Sequence, residues 1–150
     1  DIVGSHRLIG IENNNFFNTG AYDISTSLDY LLSVLEFSDL HLLLDIAHAQ
    51  ITCFNKNIDY EIYIDSLLSS RKCKQMHLCQ PQYTYYREGY SSCDSHEIPG
   101  FEMTNYALSL MNKWEIKYIT VEYYKNAEIL VSYLKFIKEL FTIREKSLNV

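Results

Sequence analysis

Four short apolar runs in this chain each end at or near a side chain that can bind a metal ion. Glu12 closes LIGIE, Asp45 closes HLLLD with His48 three residues later, His77 lies in KQMHLC, and Glu122 lies near the end of KYITVEY. A fifth stretch, CDSHEIP, contributes Asp94 and His96 as an Asp-x-His pair. Carboxylate and imidazole donors together suit zinc, manganese or iron. Taken singly, each is weak. A histidine in an apolar run is more often a hydrogen-bonded core residue, and an Asp-x-His in a loop is more often solvated. An acid inside a strand is harder to dismiss, because unpaired acids are rarely buried. The recurrence carries the signal. Four carboxylates brought together repel and raise one another's pKa unless cations lie between them. The set exceeds what one ion needs, which points to two or three ions with Glu12 or Asp45 able to bridge.

These groups must be positioned by regular elements. Strands are expected over Leu8 to Glu12, Leu42 to Ala47, Lys74 to Cys79 and Lys117 to Tyr123, all short, apolar and unalternating. Such runs suggest strands buried on both faces, as in parallel sheets. Helical spacing appears between them. Ser25 or Ser27 can cap Leu28, Leu31, Leu32 and Leu35, and Asp59 can cap Tyr60, Tyr63, Ile64, Leu67 and Leu68. Phe101 starts a helix with Met103, Ala107, Leu110, Met111 and Trp114 inside. Asn126 caps a last one with Leu130, Leu134, Ile137 and Phe141 as its inner stripe. The segment Gln80 to Gly100 is expected to be a long loop, rich in tyrosine (Tyr83, Tyr85, Tyr86, Tyr90) and suited to lining an organic substrate. The resulting β-α order implies an α/β fold of parallel strands with crossover helices. Four such units, over residues 1–150 as a single domain, make a small doubly wound sheet or half of a (β/α)8 barrel. In either, ligands bind at the C-terminal ends of the strands.

Composition narrows the classes. The net charge of −6 argues against a nucleic-acid surface. No run of roughly 20 apolar residues encodes a membrane span, and no signal peptide is visible. Cys53, Cys73, Cys79 and Cys93 have no zinc-finger spacing and are expected to be reduced thiols of a cytoplasmic protein. The chain begins at Asp1, so it is expected to be a piece of a longer protein.

In their order, IGIENNN, LLLDIAHAQ, MHL, CDSHEIP and ITVEYY resemble the second half of a xylose-isomerase-like TIM barrel. Within that superfamily the likeness is to the multinuclear non-heme iron-dependent oxidases of the DUF692, or methanobactin-biosynthesis-enzyme, type. It runs from about Leu8 to Leu140. The resemblance implies that Glu12 is a bridging acid on the fifth strand, that Asp45 and His48 are ligands after the sixth, and that His77 is a ligand on the seventh. It further implies Asp94 and His96 as ligands from the next loop, Glu122 as a ligand on the eighth strand, and Asn13 orienting Glu12. The chain departs from the family at Ala47-His48, where many members carry Asn-Asn; that leans toward endonuclease-IV-like relatives.

The implied activity is oxidation of cysteines in a ribosomally made precursor peptide, with two or three iron ions activating O2 and a partner protein presenting the peptide. The missing N-terminal half, or another chain, would complete the barrel. Three alternatives stand beside this. One is a trinuclear zinc phosphodiesterase, which would need basic groups at the mouth, where the loop offers only Arg87. Another is a sugar isomerase or epimerase using one metal, such as manganese, which would leave Asp94 and His96 idle. The last is an inactive half-barrel fragment.

Overall fold

The computed structural model describes residues 9–83 and 92–148, with side chains over 9–82 and 94–143. Four strands, β1 (Gly10–Glu12), β2 (His41–Asp45), β3 (Cys73–Leu78) and β6 (Tyr118–Val121), form one parallel sheet in the order β1-β2-β3-β6. Helix α1 (Leu28–Phe37) joins β1 to β2, and α2 (Ile46–Lys56) and α3 (Tyr60–Ser69) join β2 to β3. A hairpin of β4 (Gln80–Tyr83) and β5 (Ser92–Glu97) follows β3, then α4 (Phe101–Trp114), β6 and α5 (Ala127–Leu148). The chain is α/β with a parallel sheet. No helix among the described residues is long and apolar enough to cross a membrane.

Local chemistry fixes the helix starts. Asp45 caps α2 by accepting from the His48 N–H at 2.7 Å, and Asp59 caps α3 by accepting from the Ile62 N–H at 2.9 Å. Asn126 accepts from the Ile129 N–H at 3.0 Å and so caps α5. Ser27 occupies the N-cap position of α1, but its hydroxyl makes no capping bond. At the other end of α1, the Lys72 ammonium donates to the carbonyls of Leu35 and Ser38 and so satisfies its last turn.

The expectation of strands buried on both faces is corrected. Alternate residues Leu42, Leu44, Met76 and Leu78 are buried in one cluster with residues from each of the helices α1 to α5. Their neighbours on the opposite face (Gly10, Glu12, His41, Leu43, Gln75, Tyr118 and Thr120) are exposed or only partly covered. The side-chain period of two separates the faces; Leu43, apolar but on the uncovered side, hides that period in the sequence. A strand expected to run to Ala47 ends at Asp45, because the Asp45 cap starts α2 immediately. The expected long loop contains the β4–β5 hairpin. On α5 the inner residue is Tyr133 rather than Leu134, which is 46% exposed. The phenol of Tyr133 bonds the Thr104 hydroxyl at 2.6 Å and turns that side of the helix inward.

Candidate metal centre at the strand ends

The four parallel strands place Glu12, Asp45, His77 and Glu122 along one rim. Asp45 and His77 are register partners at the ends of β2 and β3. Glu12 is the last residue of β1, and Glu122 follows β6 with its N–H bonded to Leu78 O at 3.1 Å. His48 comes from the first turn of α2, not from a loop, and Asp94 and His96 from β5. Two extra residues on β5 between the paired positions Cys93 and Glu97 make a bulge that carries Asp94, Ser95 and His96. His96 sits there with φ +47°, in the left-handed region that a non-glycine residue rarely occupies.

All seven acids and imidazoles singled out in the sequence meet here. His77 Nδ1 lies 2.8 Å from Glu122 Oε1, 3.4 Å from Glu12 Oε1 and 3.9 Å from Asp45 Oδ2. His48 Nε2 is 3.0 Å from Asp94 Oδ2, and His96 Nε2 is 3.4 Å from that same oxygen. His96 Nδ1 is 3.6 Å from Glu122 Oε2. Asn13 differs from expectation. Its amide bonds the Asp45 backbone in both directions, each at 2.8 Å, and its carbonyl faces His48 Nδ1 at 3.0 Å. It therefore positions Asp45 and His48 rather than Glu12. With its Nδ1 proton held by that carbonyl, His48 presents Nε2 to the rim.

Burial and acid–imidazole pairing set the charge of the rim. Burial raises the Asp45 carboxyl to about 6 despite the neighbouring His48 charge. Burial would lower His48, but the hydrogen bond to Asp94 and the charge of Asp45 outweigh it and raise the imidazole to about 9. His77 is raised in the same way by Glu12 and Glu122 against its own burial. The His77 contact holds Glu12 below the usual carboxylate range, and His48 and His96 do the same for Asp94 against burial. Protons on His48 and His77 thus supply positive charge that the acids demand.

The protons do not complete the bonding. Asp45 Oδ2, His77 Nδ1 and His96 Nδ1 are buried without a hydrogen bond: the 2.8 Å contact of His77 Nδ1 with Glu122 is misaligned for one, and His96 Nδ1, 3.6 Å from Glu122, is too far. Buried polar atoms rarely go unpaired, and an ion is among the standard explanations. The donor set fits: the ligand atoms of Glu12, Asp45 and His77 lie within 4.8 Å of one another, as do those of Cys79, His96 and Glu122.

Cys79 was missed as a donor, although its place two residues after His77 puts it on the same side of an extended chain. It is fully buried, and its thiol donates to Asp94 Oδ1 at 3.3 Å. Burial, together with Asp45 and Asp94, pushes that thiol far above its ordinary range. Cys53, Cys73 and Cys79 are free thiols. Tyr85, Tyr86, Arg87 and Tyr90, and the side chains of Tyr83 and Cys93, lie outside the described residues. No family model, curated protein or solved structure matches the chain.

Proposed function

We propose that this chain carries most of a multinuclear metal centre, and that it is the C-terminal half of a TIM-barrel oxidase that uses iron and O2 to modify cysteines of a ribosomally made precursor peptide. The supporting observation is the convergence of seven acid and imidazole groups on one rim, with Asp45 Oδ2, His77 Nδ1 and His96 Nδ1 buried and unpaired. Glu12, Asp45 and His77 would hold one ion, and His96 and Glu122 would help to hold a second. His48 and Asp94, 3.0 Å apart, have the separation of two donors sharing one cation at bond lengths of about 2.1 Å. Bound iron supplies one-electron chemistry toward O2.

The chain's own residues do the rest. Asn13 fixes the Asp45 backbone and the His48 tautomer, which aims both donors before any ion arrives. Glu12, 39% exposed, is the donor most open to solvent and so the side from which substrate approaches. The uncovered sheet face and the edge strands β1 and β6 suit a further set of βα units, from the same protein or another chain, that would close the barrel. A peptide-presenting partner and a cytoplasmic setting complete the reading. Lys125, three residues after Glu122, is taken up by Glu97, which disfavours a phosphodiester substrate.

Elemental analysis after anaerobic loading with ferrous iron tests the proposal. Two or more irons per chain are expected, with Asp45→Asn and His77→Ala each losing at least one. Iron-dependent O2 uptake should then need a cysteine-bearing peptide. Zinc retention with cleavage of abasic DNA would replace the oxidase by a phosphodiesterase, and a single manganese with ketose turnover would replace it by an isomerase.

A further inference from the structure

We infer that the two ion positions differ in kind, and that the one formed by Cys79, His96 and Glu122 is a sulfur-ligated site for a thiophilic divalent ion such as ferrous iron or zinc. This rests on the multinuclear reading above and extends it to a residue type that the acids and imidazoles did not suggest.

The geometry is built from three separate elements. Cys79 follows the last residue of β3, His96 sits on the β5 bulge, and Glu122 follows β6. Their ligand atoms nevertheless lie within 4.8 Å of one another. His96 sits there in a left-handed backbone, at φ +47°, a conformation that is strained for a non-glycine residue and persists where surroundings enforce it. Its Nδ1, 3.6 Å from Glu122 Oε2, is buried without a hydrogen bond. The Cys79 thiol, fully buried, spends its only proton on Asp94 Oδ1, and a cation would displace that proton to solvent as the sulfur becomes a thiolate ligand.

Sulfur, nitrogen and oxygen from three residues leave a fourth position open, which is the pattern of a reactive rather than a purely structural site. The neighbouring position formed by Glu12, Asp45 and His77 offers two oxygens and one nitrogen. Thiolate selects iron or zinc over magnesium, calcium and manganese, whereas the oxygen-rich position does not discriminate in this way. One rim would therefore bind two ions of different affinity, and the sulfur position would fill first with zinc or ferrous iron.

Anaerobic titration of the metal-free chain with cobalt(II) tests this, because thiolate–cobalt bonding gives a near-ultraviolet charge-transfer band that oxygen and nitrogen donors do not. A band saturating at one cobalt per chain is expected. Cys79→Ser should abolish it and lower the total cobalt bound by one, while Cys53→Ser and Cys73→Ser keep it. His96→Gln, which changes a partly exposed side chain and spares the buried thiol, should retain the fold by circular dichroism and weaken the cobalt giving the band by at least about tenfold. Cobalt binding without the band, or a band that survives Cys79→Ser, overturns the sulfur site and leaves the oxygen-rich position standing. Failure to bind cobalt at all overturns both the sulfur site and the metal reading of the rim.

Discussion

Leu44 and Asp45 are adjacent in the chain and equally buried, at 0% exposure, yet they belong to regions held together in different ways. Leu44 lies in the cluster of Leu42, Met76, Leu78, Leu35 and Ile64, where burial of each large side chain contributes roughly 2 kcal/mol and none of these side chains carries a group that needs a hydrogen-bond partner. Asp45 lies at the strand end, where Asn13 and the first turn of α2 satisfy its backbone and one carboxylate oxygen. The other oxygen has no partner. The apolar layer is therefore complete without any ligand, whereas the rim is assembled at a cost. Folding energy from the first region supports unpaired groups in the second, which is the usual relation between a scaffold and a site.

The largest effect that separates the two regions should come from Leu44→Ala, which opens a cavity in the covered layer. It is expected to cost about 2–5 kcal/mol in urea unfolding, equally with and without metal. A loss that metal restores would mean the two regions are not independent.

The second effect is on pH. His48, raised from 6.5 to about 9 in the folded chain, contributes stability that is fully present below pH 6.5 and lost as pH rises through 9. The metal-free chain should lose about 3 kcal/mol across that window, by urea midpoint at successive pH values. His48→Gln should flatten the slope.

Asp45→Asn probes the rim from the opposite direction. The carboxyl raised from 3.8 to about 6 favours folding below pH 3.8, and that advantage is gone once pH passes 6, where the buried carboxylate carries its full penalty. Asn keeps the oxygen that caps α2 and removes the charge. The metal-free variant should be about 1–2 kcal/mol more stable than the parent at pH 8, and yet bind less metal. A destabilised variant would show that Asp45 is structural.

The smallest effect should be at Gln75, whose amide bonds Thr120 Oγ1 at 2.8 Å on the uncovered face of the sheet. Gln75→Ala is expected to change stability by no more than about 0.5 kcal/mol, measured by thermal melting. A cost above about 1 kcal/mol would mean that this face is already packed.

Much of this was legible in the residues because it is written locally. Acids and imidazoles at the ends of apolar runs, with Asp59 and Asn126 ahead of helical stripes, depend on contacts within about four residues, and chain direction alone sends parallel strand ends to one rim. Three features were not legible, since each depends on groups far apart in sequence. The hairpin bulge that delivers His96 depends on the β4–β5 register, and the choice of Tyr133 over Leu134 depends on Thr104. The attachment of Asn13 to Asp45 spans β1 and β2. The sequence by itself marked the seven acids and imidazoles that reach the rim. Only the tertiary structure decided which of them are left unpaired, because an unsatisfied atom is defined by all its neighbours and most of those come from other elements.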